Sequence, residues 1–462
     1  MNFSRPLFHF SCPVGWCNDP NGFSYFKNRV HLFYQWHPYS TKWGPMHWGH
    51  ATTTDFVHWK TEPTALTPDA DFDMDGCFSG SAIDLDGTHV LCYTGVTKNV
   101  QHQCLAIGDG LAYKKFNFNP AVTCGDIPFE YQKQDFRDPK IFLDGGKLFM
   151  LCVLKKMDGA GAMVLFKNVS REDFSDWRFV KTIAESKDGK TKMWECPDFF
   201  SHGQKDVLIF SPQGMEEDFE KGFHDGNNSV YMIGKLDPAA FDFSPEALSN
   251  GMDYAQIDFG LDFYAPQTCT LPDGRTLMAA WMSSWESPVT PENLPWCGMM
   301  VFPRELSLNG NRLVQNPARE ILSLRKKRWT FSIKGVGQKI DVPDARHFDA
   351  EIKIEPGKNM TLKIGDENFF VSLDYSAEKN ILTFDRSHSI NGGGKIKKRS
   401  AKLFSVGGGQ VFLRTLVDTN SIEVFANGGE VSFTNAFFIP PESKNLSIDS
   451  EGLVLDYYGL EI

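Results

Sequence analysis

Five short apolar segments recur along the first 300 residues of the chain at nearly constant spacing. They have the length and composition of β-strands, and they occupy residues 31–35, 89–94, 147–153, 207–211 and 277–281. Their starts are 58, 58, 60 and 70 residues apart, and helical periodicity is almost absent. Five β units of this size predict an all-β fold with a five-bladed β-propeller, although a large irregular sandwich would show similar runs.

The last third of the chain has a different composition and pattern. All ten cysteines precede Gly298, and ten of the eleven tryptophans precede Pro303. Apolar and polar residues then alternate with period two, which is typical of an antiparallel sandwich with one buried face. Asn316 as N-cap and Pro317 at the first helical position predict a short helix near the boundary. We expect a propeller over 1–319, a linker with the short helix over 320–332 and a β-sandwich over 333–462.

The charge balance and the cysteines limit the possible classes of function. The 58 acidic and 47 basic residues give a net charge of −11, which argues against a nucleic-acid-binding protein and against a membrane-surface protein. No apolar run approaches a membrane span, and the first residues lack a secretory signal. The cysteines show neither CxxC pairs nor Cys/His zinc spacing, so we expect a reducing, cytoplasmic compartment and no metal ion or cofactor. The oligomeric state is not predicted.

Three acidic residues occupy related positions in the repeat. When the segments that precede the apolar runs are aligned, Asp19, Asp138 and Glu195 fall at or next to equivalent positions. Equivalent positions on innermost strands lie at one height around a propeller axis, so the three carboxylates are expected to converge on one pocket. A single Asp-Pro would indicate only a turn. Carboxylates gathered without a metal repel one another, and one tends to keep its proton, which is the arrangement that glycoside hydrolysis needs.

The motif around Asp19 is more specific than the repeat. Residues 16–22, Trp-Cys-Asn-Asp-Pro-Asn-Gly, resemble the WxNDPNG signature of glycoside hydrolase family 32, the invertase and fructanase family. Further motifs follow in the family's order: FYQ at 33–35, WGH at 48–50, FSGS at 78–81, FRDP at 136–139, WECP at 194–197, DFYA at 262–265 and then Trp281. The resemblance implies a five-bladed propeller followed by a β-sandwich. It also implies cleavage of terminal β-fructofuranosyl bonds with retention of configuration.

The resemblance implies a role for each matching residue. Asp19 would be the nucleophile that forms a fructosyl-enzyme ester, and Glu195 would be the general acid and then the general base. Asp138 would hold fructose hydroxyls and stabilise the transition state. The residues that would line the fructose pocket are Asn18, Gln35, Trp43, Phe78, Ser79, Arg137, Tyr264 and Trp281. Glu195 must hold a proton near neutral pH to act as an acid, whereas hydrogen bonds are expected to keep the pKa of Asp19 low.

The sequence therefore predicts a retaining β-fructofuranosidase that acts on sucrose and short fructooligosaccharides. A sucrose-6-phosphate hydrolase is an alternative, because a surface Arg or Lys could bind phosphate without a loop of the GxxxxGK[ST] type, which the sequence lacks. A fructosyltransferase would share the nucleophile. A non-catalytic fructan-binding propeller is an alternative of another class, but a lectin needs no general acid. The expected partner is a small saccharide, with neither nucleic acid nor membrane.

Overall fold

The computed structural model describes residues 3–170, 174–186, 193–237, 239–403 and 409–461. These residues form five small sheets, which are the blades of a propeller, and one larger C-terminal sheet that folds over on itself. The predicted all-β architecture is therefore confirmed. Within these ranges, no helix has both the length and the apolar character needed to cross a membrane.

Blades 1 to 3 are each built from four consecutive strands. Blade 1 contains β1 (Gly15–Phe26), β2 (Arg29–His37), β3 (His47–Thr53) and β4 (Lys60–Thr61). Blade 2 contains β5 (Gly76–Leu85), β6 (Thr88–Thr97), β7 (Val100–Gly108) and β8 (Tyr113–Lys115). Blade 3 contains β9 (Tyr131–Asp144), β10 (Lys147–Lys156), β11 (Gly161–Asn168) and β12 (Trp177–Glu185). Each sequence-adjacent pair is antiparallel, as short connections require.

The last two blades are less regular. Blade 4 contains β13 (Met193–His202), β14 (Lys205–Gln213), β15 (Val230–Leu236), β16 (Phe243–Pro245) and β17 (Ala255–Gln256). Blade 5 and its connections contain β18 (Tyr264–Thr270), β19 (Thr276–Trp281), β20 (Trp296–Cys297), β21 (Arg304–Asn309) and β22 (Arg312–Pro317). The short strand β20 pairs with β1 rather than with its own blade, so it links the last blade to the first.

The five innermost strands form a closed ring. Strand β1 contacts β5, and contacts continue through β9, β13 and β18 back to β1. The predicted apolar runs lie in the second strands β2, β6, β10, β14 and β19, and the motif segments lie in the innermost strands. Buried apolar clusters fill the spaces between neighbouring blades. The spacing of about 60 residues thus corresponds to one blade.

Each innermost strand carries a β-bulge at the same place. The pairing register shifts next to the motif residues: between Cys17 and Pro20, Phe78 and Gly80, Arg137 and Lys140, Glu195 and Asp198, and Tyr264 and Gln267. Asp138, Cys196 and Ala265 take a positive φ there, of 61°, 48° and 53°. A bulge turns side chains away from the regular alternation. The bulge therefore changes the direction of one side chain in each blade, and these side chains lie at the same level of the propeller.

The C-terminal part is a β-sandwich, as predicted. Its strands are β23 (Arg325–Ile340), β24 (Phe348–Ile354), β25 (Met360–Gly365), β26 (Phe370–Ser376), β27 (Ile381–His388), β28 (Lys398–Lys402), β29 (Val411–Asp418), β30 (Ser421–Ala426), β31 (Val431–Ala436) and β32 (Asn445–Leu460). The first half of β32 pairs with β25 and its second half pairs with β24. One long strand therefore belongs to both layers, and a large apolar core lies between them.

The connection between the two parts differs from the prediction. The short helix is a 3-10 helix over Arg319–Leu324 with Ala318 as N-cap, whereas Asn316 and Pro317 still belong to β22. The hydrogen bonds of β22 to β21 hold these two residues in extended conformation and override their capping preference. Residues 325–332, expected in the linker, are the first half of β23. Two further 3-10 segments occupy Cys124–Asp126 and Ile390–Gly393.

The propeller and the sandwich meet through a chain of buried charges, here called the junction cluster. Arg304 bonds Asp258 at 2.9 Å and Glu423 at 2.5 Å. His9 bonds Glu423 at 2.9 Å and Asp418 at 2.8 Å. All five side chains are fully buried. The N-terminal segment, blade 5 and the sandwich are thereby joined in one charge-paired network.

Candidate active site

A cavity of about 500 Å³ lies at the bulges of the innermost strands. All three predicted catalytic residues line it: Asp19 from β1, Asp138 from β9 and Glu195 from β13. So do six of the eight predicted substrate-binding residues, namely Asn18, Gln35, Trp43, Phe78, Ser79 and Arg137. The tertiary structure therefore brings together acids that are 57 to 176 residues apart in the sequence.

The two carboxylate oxygens of Asp19 have different surroundings. Oδ2 accepts a hydrogen bond from Ser79 Oγ at 2.8 Å and lies 3.6 Å from Cys196 Sγ. Oδ1 has no hydrogen-bond partner among the described residues. Burial and the charge of Glu195 raise the pKa of Asp19, although Asn18 and Ser79 oppose the shift. The expectation that hydrogen bonds keep this pKa low is wrong, because desolvation outweighs them.

Asp138 is held in a strained backbone conformation. Its φ of 61° lies in the left-handed region that residues with a side chain rarely adopt. Its N–H donates to Thr94 Oγ1 at 2.8 Å, and its Oδ2 accepts from the Cys196 N–H at 2.9 Å. Burial raises the pKa of Asp138 to about 7, although Arg137 acts in the opposite direction. Such strain persists where surrounding bonds over-determine the position of a functional group.

Both carboxylate oxygens of Glu195 accept hydrogen bonds. Oε1 accepts from Arg137 Nη2 at 2.8 Å, and Oε2 accepts from the Tyr264 hydroxyl at 2.6 Å. The Glu195 side chain is 17% exposed, against 5% for Asp138. Burial and Glu195 raise the pKa of Tyr264 well above its usual value, so its hydroxyl keeps its proton.

Two predicted substrate-binding residues lie behind the cavity wall rather than on it. Tyr264 is buried and bonds Glu195, as described above. Trp281 is 1% exposed and packs against Trp16 and Trp285, with ring centroids 5.8 and 5.0 Å apart. Both side chains belong to one buried apolar cluster, which also contains Trp16 and Cys196. They support residues that line the cavity.

Aromatic rings form two sides of the cavity. Trp43 packs edge-on against Phe78 with centroids 5.7 Å apart. On the other side, Trp285 stacks on Trp16 at 5.8 Å and 27°. Trp43 and Trp285 remain 51% and 38% exposed, so large apolar faces are open to a ligand. Such faces suit the C–H surfaces of a sugar.

Several cavity residues were not identified from the sequence. They are Gln101, Gln134, Asp135, Gln213, Asn227 and Trp285. Asp135 stands two residues before Arg137 in β9, and the period-two pattern of a strand could have revealed it. Trp285 and Asn227 lie outside regular strands, where no repeat or periodicity indicates a position.

The cavity is strongly acidic. Of the described residues that line it, Asp19, Asp135, Asp138 and Glu195 carry carboxylates and Arg137 alone carries a cation. Arg137 bonds Asp135 and Glu195 and lies 3.9 Å from Asp138. Across the described ranges, no group of three or more His, Cys, Asp or Glu side chains has an arrangement that could hold a metal ion.

Comparisons with known proteins identify the family. The family model for the N-terminal domain of glycosyl hydrolases family 32 matches residues 9–317, and the model for the C-terminal domain matches residues 320–458. The chain belongs to glycosyl hydrolase family 32. It is 34% identical to sucrose-6-phosphate hydrolase of Escherichia coli, with 99% of this chain and 94% of the relative covered. It is also 34% identical to raffinose invertase of Escherichia coli, with 96% and 91% covered.

A solved structure of the family has the same fold. The GH32 β-fructofuranosidase of Bombyx mori superposes with a TM-score of 0.83 at 31% identity, with 99% of this chain and 94% of that chain covered. The five-bladed propeller, the C-terminal sandwich and the membership of family 32 expected from the sequence are confirmed. The protein is a β-fructofuranosidase, a glycosidase that acts on O-glycosyl bonds.

Proposed function

We propose that the protein releases terminal β-D-fructofuranosyl residues from unphosphorylated substrates, sucrose and short fructooligosaccharides, with retention of configuration. The observation that carries this proposal is the convergence of Asp19, Asp138 and Glu195 on one aromatic-walled cavity. Retaining hydrolysis needs one carboxylate as nucleophile and one carboxyl group as proton donor.

Asp19 attacks the anomeric carbon of the fructosyl unit and forms an ester with it. Its Oδ1 accepts no hydrogen bond from the described residues, so the attack breaks no protein contact at this oxygen. Glu195 delivers a proton to the leaving glycosyl oxygen and later takes one from the water that hydrolyses the ester. Asp138 accepts hydrogen bonds from fructose hydroxyls, and these bonds strengthen as positive charge develops on the ring.

The charges of the cavity favour an unphosphorylated substrate. Arg137, its single cation among the described residues, already serves three carboxylates. A phosphate dianion would enter an excess of negative charge without a free partner. Sucrose-6-phosphate hydrolysis is the second candidate, because several relatives at 33% to 35% identity bear that name.

A substrate panel tests the choice. We expect kcat/KM to be highest for sucrose or kestose, and at least tenfold lower for sucrose-6-phosphate. A higher value for sucrose-6-phosphate would overturn this specificity and leave the fructosidase mechanism in place. Release of no fructose from any of sucrose, kestose, inulin or sucrose-6-phosphate would overturn the proposed function.

An activated substrate tests the roles of the two carboxylates. With β-D-fructofuranosyl fluoride, whose leaving group needs no proton, Glu195→Gln should recover much of the first step. Asp19→Asn should recover nothing with either leaving group, because no ester can form. Rescue of Asp19→Asn by the fluoride would mean that the roles are reversed.

We also propose that the enzyme works in the cytoplasm. All ten cysteines are free, and eight of them are buried. Titration of thiols in denaturant without reductant should give close to ten per chain, whereas a value near zero would indicate an oxidising compartment.

A further inference from the structure

One buried side chain of the sandwich is attached to two segments of the propeller. Arg386, in β27, is fully buried. Its Nη1 donates to Asp262 Oδ2 at 2.6 Å, and its Nη2 lies 3.3 Å from Ser287 O and 3.4 Å from Ser287 Oγ. Asp262 and Ser287 precede Arg386 by 124 and 99 residues. A single guanidinium therefore joins two distant parts of the propeller.

The Asp262 contact leads to Glu195. Asp262 stands two residues before Tyr264, whose hydroxyl donates to Glu195 at 2.6 Å. Asp262 Oδ2 also accepts from the Ala436 N–H at 2.8 Å, and the Asp262 N–H donates to Thr434 O at 3.0 Å. The sandwich thus fixes the start of β18 from behind, and with it the place of the Tyr264 hydroxyl.

The Ser287 contact leads to the rim of the cavity. Trp285, two residues earlier, forms one aromatic wall. Between them, Glu286 Oε1 accepts from the N–H of Asn227, another cavity residue, at 2.6 Å. Ser287 Oγ also accepts from the Ile396 N–H at 2.9 Å. The segment that carries the rim is therefore attached to the sandwich at Ser287.

We infer that Arg386 is a positioning residue for the fructosidase reaction, although it does not line the cavity. Through Asp262 it aligns Tyr264 with the proposed general acid, and through Ser287 it holds the Trp285 rim. The inference rests on the proposed role of Glu195. A planar guanidinium has five donors in a fixed fork and can serve both acceptors at once. A lysine carries its three donors on one nitrogen and cannot reproduce this two-nitrogen fork.

A comparison of two substrates with different leaving groups distinguishes the positioning role of Arg386 from a general loss of stability. Misplacing Tyr264 impairs protonation of the leaving oxygen, so Arg386→Met should lose more activity on sucrose than on β-D-fructofuranosyl fluoride. We expect the ratio of the two kcat values to fall about tenfold, part of the 10²–10⁴ that a general acid contributes. The pH profile of kcat on sucrose should shift as well. Arg386→Lys should lie between Arg386→Met and the wild type.

A second variant isolates the rim. Ser287→Ala removes the Oγ contacts to Arg386 and to the Ile396 N–H, and it leaves the bonds of Arg386 to Ser287 O and Asp262 in place. It should raise KM for both substrates by a similar factor and leave the ratio of kcat values unchanged. The matched control is Arg346→Met, which removes a buried arginine that is bonded to Thr419 O and Pro440 O and does not line the cavity. It should lower thermal stability without changing the kcat ratio or KM.

All variants are compared below their unfolding transitions, with the folded fraction measured by circular dichroism. Wild-type kcat ratio, KM and pH profile in folded Arg386→Lys and Arg386→Met would overturn the inference, as would equal losses on both substrates. If Arg386→Met does not fold, the Arg386→Lys and Ser287→Ala variants test the inference. Failure of the fluoride to rescue Glu195→Gln would instead overturn the proposed role of Glu195, so the two failures are distinguishable.

Discussion

The junction cluster and the active-site cavity both bury carboxylates, but the pKa values of these carboxylates shift in opposite directions. In the junction cluster, Asp418 accepts hydrogen bonds from four backbone N–H groups and from the His9 ring. Burial opposes its charge, yet these bonds hold the pKa of Asp418 far below the usual value. Burial also opposes the charge of Glu423, but Arg304 and His9 outweigh it and lower the pKa of this residue. Every carboxylate of the cluster has a cation within hydrogen-bond distance.

The cavity has too few partners for its carboxylates. Burial raises the pKa of Asp19 and raises that of Asp138 to about 7, because one arginine is shared among several acids. An ionised group kept at such a site lowers the stability of the fold. The comparison shows that burial alone does not decide the effect of a charge. The number of donors decides whether the charge stabilises the fold or is kept available for chemistry.

The largest expected effect concerns the centre of the junction cluster. Arg304→Met leaves Asp258 and Glu423 buried without their cation, and we expect it to lower the free energy of unfolding by about 3–5 kcal/mol. The measurement is the urea-unfolding midpoint. Arg312→Met is the matched control, because its pair with Glu430 at 2.9 Å is about one-fifth exposed. It should lose less than about 1 kcal/mol. Equal losses would mean that the degree of burial does not matter at this interface.

The second effect is a loss of stability in alkali. Two carboxylates raise the pKa of His9 from 6.5 to about 9 despite its burial. Protonated His9 therefore stabilises the folded state. Its contribution to the free energy of unfolding is fully present below about pH 6.5 and is lost as pH rises through about 9. We expect a loss of about 3 kcal/mol over this range, measured by urea unfolding from pH 6 to 10.

His9→Gln should be less stable than the wild type at pH 6 and should show a flatter pH dependence. His58→Gln serves as the control, because it removes a histidine from an exposed pair with Asp55. An unchanged slope in His9→Gln would exclude this residue as the source of the alkaline loss.

The last effect has the opposite sign and is a gain of stability in the cavity. Asp138→Asn should raise the free energy of unfolding at pH 7, because it removes a poorly compensated charge. The folded state binds the Asp138 proton more tightly than the unfolded state, so wild-type stability falls as pH rises from about 4 to 7. The gain should therefore be near zero at pH 4. Thermal unfolding at both pH values checks the expectation.

Asp198→Asn is the contrasting variant for this comparison. Asp198 is as deeply buried, but it bonds Lys140 at 2.8 Å and Thr268 at 2.6 Å. Its substitution should lower stability. If Asp138→Asn lowered stability by the same amount, the cavity would be as well compensated as the rest of the core, and the contrast drawn above would fail.

The sequence predicted the convergence of the three acids, because the local motif and the blade repeat are enough to place them. Asp19, Asp138 and Glu195 stand at equivalent bulges of innermost strands, and the spacing of the blades transfers one position to the next. Tyr264 followed the same repeat, but whether its hydroxyl meets sugar or Glu195 depends on packing across two blades. The repeat predicted the position of Tyr264 in the strand but not the partner of its hydroxyl.

By itself, the sequence determined the strands, the number of blades and the level at which the acids lie, because alternation and bulges depend on neighbouring residues and on a regular period. The tertiary structure alone decided the charge balance of the cavity, the aromatic rim at Trp285 and the attachment of two wall segments to Arg386. The Arg386 contacts, for example, join residues 124 and 99 positions apart, without a shared period. Their contacts arise where loops and domains pack, and no local pattern of residues encodes that packing.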